Sequence, residues 1–248
     1  MLSRARSPDP AAPRRKPRLW RWLLLWLPLL FVVITTLQVL SLRWIPPPTS
    51  MFMLDRRIDG MFDRSQRVAI RYQWRSLSRI SPWMPVSVIA SEDQKFFDHH
   101  GFDMQAINKA MDSNQRGRRV RGASTISQQV AKNLFLWSGR NYLRKGLEAW
   151  YTVLIEALWP KRRIVEVYVN IAEFGDGIYG VEAASQAYFH KSATHLSASE
   201  SARLAAVLPS PRRWSVVKPG PFVQRHARWI ERQVRQLGGL AWFRESIR

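Results

Sequence analysis

Cysteine is absent from the 248 residues, which excludes disulfides and thiolate metal sites. Histidine is scarce, with five residues and no HExxH or paired-ligand spacing, so nothing suggests a zinc centre. Acidic residues are few beside basic ones, 18 against 39, for a formal net charge of +21. A surplus that large predicts a polyanionic partner: nucleic acid, an anionic membrane surface or a phosphate-bearing substrate. Charge alone does not choose among them. Internal repeats and low-complexity tracts are also missing. What the chain has is apolar mass, 46% of its residues, enough for a packed core and too much for global disorder. Its length suits one domain of ordinary size plus an appendage.

The longest apolar run is "WLLLWLPLLFVVITTLQVLSL", residues 22–42, without one charge. At about 1.5 Å per residue it spans roughly 30 Å, the hydrocarbon thickness of a bilayer. It exceeds the roughly 7–15 residues of a signal-peptide core, and no A-x-A-like cleavage site follows. Pro28 is tolerated in a transmembrane helix, and Trp20, Trp22 and Trp44 stand where indole rings favour headgroups. Residues 1–21 carry seven basic side chains (Arg4, Arg6, Arg14, Arg15, Lys16, Arg18, Arg21) against Asp9 alone. That bias predicts a cytoplasmic tail at 1–21, an uncleaved transmembrane helix at 22–42 and everything after Arg43 outside. Nucleic acid is then on the wrong side of the membrane, and no nucleic-acid-binding motif is present.

"WIPPPTS" makes residues 43–50 a stiff, extended proline linker. Residues 51–248 read as one mostly helical domain. Thr125 with Gln128 has capping-box spacing, followed by Ile126, Val130 and Leu134 on one face. Asn141 can cap the next helix, where Leu143, Leu147, Trp150, Leu154 and Leu158 form an expected core stripe ended by Pro160. "RRIVEVYVNIAEF" stays open between strand and helix. Val165, Val167, Val169 and Ile171 alternate, while Arg162 and Glu166 have helical i, i+4 spacing. "GDGIYG" matches GxGxxG but lacks a βαβ context and reads as a glycine-rich turn. "SVVK" mimics SxxK with no SDN or KTG element after it.

Four clusters carry polar residues that the apolar pattern does not require. They are "SEDQKFFDHHGFD" with Glu92 and Asp93, "GASTISQQVAKN" at 122–133, "RNYLRKGLE" with Arg140, Arg144, Lys145 and Glu148, and "KRRIVEVYVN" at 161–170. On a helix, Arg144, Lys145 and Glu148 share a face, placed opposite the Leu143/Leu147/Trp150 stripe. Each cluster alone is usually bland: a solvated ion-pair face, a surface glutamate, a capped helix start. The His99/His100 pair reads as structural.

Taken in order, the clusters resemble the family 51 glycosyltransferases, the glycan-polymerising module of bifunctional penicillin-binding proteins. That family shows EDxxFxxHxG, GxSTIxQQxxKN, RKxxE and KxxIxExYxN. The chain has "EDQKFFDHHG", "GASTISQQVAKN", "RKGLE" and "KRRIVEVYVN", and the likeness covers roughly residues 80–215. Ala123 departs from the second glycine of many members. The resemblance implies a mainly α, lysozyme-like catalytic domain with a small membrane-facing lobe. That lobe is expected near 99–121, with Met104, Ile107 and Met111 beside "RGRRVRG", a surface suited to anionic lipid headgroups. Together with the predicted span, it implies a monofunctional transglycosylase of the bacterial inner membrane, N-terminus cytoplasmic and domain periplasmic.

The implied substrates are lipid II and a glycan on undecaprenyl pyrophosphate, with roles in cell-wall biogenesis and cell shape and with cell-wall synthesis or division proteins as partners. The acceptor 4-hydroxyl attacks the donor's anomeric carbon, displaces lipid pyrophosphate and inverts α to β. Glu92 matches the family's general base. The leaving group is already anionic and needs cations, which Lys132, Arg140, Arg144 and Lys145 supply. Glu148 matches the second glutamate, which either orients those cations or helps hold a divalent ion, magnesium or manganese, on the pyrophosphate. No organic cofactor is implied. Ser124, Thr125, Gln128, Gln129 and Asn133 are candidates for bonding sugars and phosphates. The competing readings are a lytic muramidase on the same kind of fold and a catalytically idle membrane scaffold.

Overall fold

The computed structural model describes residues 19–115, 124–139 and 141–247, the side chains of 19–25, 66 and 113–115 excepted. The chain divides within its first helix, α1 (Leu19–Ser41): residues up to Leu37 form one unit and Gln38 onward another. In the first unit α1 runs through Pro28, and the Thr35 hydroxyl donates to the Phe31 carbonyl at 2.8 Å. Among the described residues no helix is long and apolar enough to cross a membrane. The described side chains of α1 begin at Trp26. The span expected at 22–42 starts before them.

In the second unit the end of α1 and the proline segment are tied down by backbone carbonyls. Trp159 Nε1 donates to Val39 O at 2.8 Å, and the Arg163 guanidinium to Leu42 O at 2.9 Å and Ile45 O at 2.8 Å. The Tyr72 hydroxyl donates to Pro47 O at 2.6 Å. Residues 43–50 are therefore no helix, as expected, but are docked and not a free spacer. Ser50 then caps α2 (Met51–Phe62).

The core is helical. α3 (Trp83–Glu92) is buried from Met84 to Ala90, as a helix apolar on every side must be. It packs against α7 (Lys161–Ile171), α9 (Ala198–Val207), α10 (Pro221–Gln236) and α11 (Gly239–Ser246). α5 (Ile126–Phe135) lies against α6 (Tyr142–Leu158) and α7. α4 (Met104–Gln115), in the expected lobe, exposes Met104 and Met111 and half-buries Ile107. "RGRRVRG" lies outside the described residues.

The open question at 161–171 resolves as helix. Val165, Val167, Val169 and Ile171 are all buried because α7 is enclosed on nearly every side, so a period of two carries no information there. The Glu166 carboxylate pairs with Arg163 at 2.6 Å, one position from the expected Arg162. "GDGIYG" forms the turn and second strand of a small sheet. β1 (Arg71–Tyr72) runs parallel to β3 (Ile178–Tyr179), and β3 antiparallel to β2 (Glu173–Gly175). Gly177 has φ +72° and a Cβ there would sit 2.4 Å from Val68 Cγ1. Gly180 has φ +81° and its Cβ would meet Asn170 O at 2.4 Å. These glycines serve the turn into α8 (Val181–Phe189), and no dinucleotide fold surrounds them.

Candidate active site

Glu92 is the last residue of α3, so the most enclosed helix of the domain fixes its backbone. Its Oε2 accepts from Gln129 Nε2 at 2.9 Å, and its Oε1 has a 3.4 Å contact from the Ser91 hydroxyl. Gln129 Oε1 in turn accepts from the Tyr168 hydroxyl of α7 at 3.0 Å. Burial raises the Glu92 pKa above the usual carboxylate range, opposed by the Gln129 and Ser91 bonds and by the charge of Lys132. The Tyr168 phenol is pushed well up by burial and by the neighbouring carboxylates Glu92 and Asp93, so it stays a donor.

The next residue, Asp93, locks the loop behind the site. Its carboxylate receives His99 Nε2 at 2.9 Å and the Ile126 N–H at 3.0 Å, while Gly101 N–H donates to His99 Nδ1 at 3.1 Å. Lys161 Nζ donates to His99 O at 2.6 Å and pairs with Glu156 at 2.9 Å, and the Ser127 hydroxyl donates to that same carboxylate. His99 is structural, as read from sequence. So is Thr125: its hydroxyl caps α5 by accepting from Gln128 N–H and donates to Gly101 O at 2.7 Å, leaving it no hydrogen for a substrate. Gln128 Oε1 completes the capping box.

α6 supplies the second part of the site, and Leu147, Trp150, Leu154 and Leu158 of the expected stripe pack half-buried on the core. Its buried residues are Glu148, Tyr151, Thr152 and Ile155, whereas Leu143 is 70% exposed. Of the charged triplet, Glu148 and Arg144 face in, while Lys145 keeps about half of its side chain exposed. Glu148, 3% exposed, accepts from Arg144 Nη1 at 2.9 Å and Lys145 Nζ at 2.5 Å. Two cationic partners repay the desolvation of a carboxylate that the apolar pattern had put outside. Asn141 caps the helix through Arg144 N–H, as expected.

These groups line a cavity of about 270 Å³ with Lys132, Gln128, Gln129 and Ser124. Lys132, Arg144 and Lys145 face one carboxylate there, an excess of two positive charges. Burial and the two neighbouring cations lower the Lys132 pKa below the usual lysine value, against the pull of Glu148 and Glu92. Arg144 Nε is buried with no hydrogen-bond partner among the described residues. A cationic cavity with an unused guanidinium donor fits an oxyanion ligand.

A second cavity, about 730 Å³, opens on the other side of Ser124 and Gln129, which line both. Glu92 lines it, and α10 forms the facing wall. There Trp214, Phe222, His226 and Trp229 make a ladder with ring centroids 4.6, 5.5 and 5.5 Å apart, flanked by Arg225 and Arg232. Aromatic faces opposite hydroxyl and amide groups suit a polar ring with an apolar face, such as a sugar.

The structure thus brings together Glu92, Ser124, Gln128, Gln129, Lys132, Arg144, Lys145 and Glu148. Asn133 is not among the residues lining these two cavities, and its carboxamide oxygen is buried with no partner among the described residues. Arg140 lies outside the described residues. Sequence reading missed Tyr168 and the α10 wall. The signal for the wall was local, with Phe222, His226 and Trp229 at i, i+4, i+7 behind Pro221 at the helix start.

Comparison with known proteins agrees with this geometry. Residues 61–235 match the family model described as Transglycosylase. The chain is 60% identical over 230 residues to a biosynthetic peptidoglycan transglycosylase of Xanthomonas euvesicatoria pv. vesicatoria, covering 92% of each chain. Proteins of the same name from Xanthomonas axonopodis pv. citri (59% identical, 94% of each chain) and Xylella fastidiosa (54%, covering 90% of this chain and 91% of that one) are also similar. The chain belongs to the transglycosylase family and is a peptidoglycan glycosyltransferase.

Proposed function

We propose that this enzyme polymerises lipid II into β-1,4 glycan by inverting displacement at the junction of the two cavities. The supporting observation is the pairing itself. A carboxylate with hydrogen-bonded but uncharged direct partners lines one cavity, and a cluster of three cations lines the cavity that adjoins it. The acceptor 4-hydroxyl forms the new C1–O bond as its proton passes to Glu92. The C1–O bond to the pyrophosphate breaks, and its electron pair leaves with the phosphate oxygen towards Lys132, Arg144 and Lys145. Ser124, Gln128 and Gln129 offer polar contacts where the two halves meet, and the α10 ladder stacks on the sugars.

Between the two readings of Glu148, the donor set favours orientation of cations. Its two oxygens already accept from Arg144 and Lys145. Glu148 is the carboxylate that would share a divalent ion with the pyrophosphate, and the ion would supply further positive charge to the leaving group.

We further propose that residues 22–42 anchor the enzyme in the inner membrane, with the tail at 1–21 cytoplasmic and the domain periplasmic. In the described part of α1, Trp26, Leu27, Leu29, Leu30, Ile34 and Leu37 are each at least half exposed, an apolar surface suited to lipid. The exposed Met104 and Met111 of α4 offer a further apolar surface suited to lipid.

Purified enzyme given lipid II should make polymer and release no fragments from finished peptidoglycan, and a chelator should leave the rate within about twofold. Fragment release without polymer would instead identify a muramidase. Loss of polymer with chelator would restore the metal. A reporter fused after Arg248 and active only in the periplasm tests the orientation.

A further inference from the structure

Gln129 joins two groups that sequence places far apart, Glu92 at 37 residues and Tyr168 at 39 residues. A carboxamide can be turned either way, and its neighbours decide which end faces which. Tyr168 is 1% exposed, at the centre of α7. Its hydroxyl donates to Gln129 Oε1, so the amide is held between phenol and carboxylate with its N–H₂ end on Glu92. The reversed amide would set an oxygen against the carboxylate.

We propose that Tyr168 is a positioning residue for the general base. Through Gln129 it pins Glu92 Oε2 and leaves Oε1, with its long contact to Ser91, to take the acceptor's proton. This rests on the reading of Glu92 as base. It adds that the base is aimed by a neutral hydrogen-bond chain and not by an ion pair.

The charged and titratable groups around Glu92 are Asp93 beside it, Lys132 on α5, Tyr168 on α7, and Arg225, His226 and Arg232 on the α10 wall. None lies within ion-pair distance of the carboxylate among the described residues. Burial holds the Glu92 pKa up, and the Gln129 bond is the largest opposing influence. Loosening that bond removes support for the charged form, so the pKa rises further. A base must be deprotonated to act, so its acid limb moves to higher pH.

The test uses the full chain in detergent with Tyr168→Phe, Gln129→Met and the double variant. The Glu92 carboxylate is titrated by carbon NMR, identified by its loss in Glu92→Gln, and polymerisation of lipid II is followed against pH. In Tyr168→Phe the Glu92 midpoint should rise by about one pH unit, as for a weakened hydrogen bond to a charged group. The kcat acid limb should move with it, giving roughly tenfold loss below the limb, while KM for lipid II holds. Gln129→Met should shift the midpoint at least as far, and the double variant no further. Gln129→Met decides alone if Tyr168→Phe does not fold, since it cuts the same chain one link later. An unmoved carboxylate titration overturns the proposal, whatever the rate does. A shifted titration with Glu92→Gln still fully active would leave the chain standing and remove Glu92 as base.

Discussion

Glu92 and Glu148 are the same residue type, a helix apart, in opposite surroundings. Glu92 ends α3 with Gln129 and Ser91 as its partners, both neutral, and burial raises its pKa. Glu148 sits inside α6 with both oxygens bonded by Arg144 and Lys145. Neutral donors leave a carboxylate able to accept a proton. Paired cations occupy both oxygens and make it a strut for the charges around it. The difference separates proton transfer from leaving-group stabilisation, and each can be broken on its own.

The largest expected effect falls on Glu92. Glu92→Gln should lower polymerisation by about 10²–10⁴-fold, the usual contribution of a general base. It should cost no stability at pH 7. A carboxylate whose folded pKa is raised loses stability as pH rises through that pKa, so removing the charge relieves a cost. Glu148→Gln should do the reverse in stability. It leaves Arg144 and Lys145 without their counter-charge, at about 3 kcal/mol, the low end for breaking a buried pair because Lys145 is 53% exposed. Thermal melts and rates on both variants decide it. Equal melting temperatures would erase the contrast.

A smaller effect separates the two cations. Arg144, 11% exposed, should give about ten- to hundredfold rate loss as alanine, the value of a charged hydrogen bond of about 1.5–3 kcal/mol in a shielded site. Lys145→Ala should lose only about two- to fivefold, since water screens its ammonium. Equal losses would place the pyrophosphate nearer Lys145. The smallest effect is at alkaline pH. Lys132 gives up its proton below the usual lysine value, so the rate should fall as pH rises through that lowered pKa. Lys132→Arg should move this alkaline limb upward, as read from the pH–rate profile.

Local signals were legible where they act over three or four residues. Thr125 with Gln128, Asn141 with Arg144, and the glycines of "GDGIYG" appear in the structure as read, because caps and turns are made by neighbours in the chain. The four motifs led to Glu92, Lys132, Arg144, Lys145 and Glu148, and the fold gathers them into adjoining cavities. The apolar stripe of α6 was legible in Leu147, Trp150, Leu154 and Leu158, which pack on the core, but it put Glu148 outside, because hydrophobicity exposes a carboxylate unless a buried ion pair repays its desolvation.

The sequence by itself determined where α5 and α6 begin, which residues carry charge and in what order the motifs stand. Only the tertiary structure decided that α7 is a helix enclosed on nearly every side, that Glu148 and Arg144 of α6 face in and that α10 walls the cleft. It alone placed Tyr168 behind Gln129 and Gln129 behind Glu92, bonds that close over 37 and 39 residues. Periodicity reports one face of one element. Enclosure, ion pairing and bonds between helices depend on what the other elements present, which no window along the chain contains.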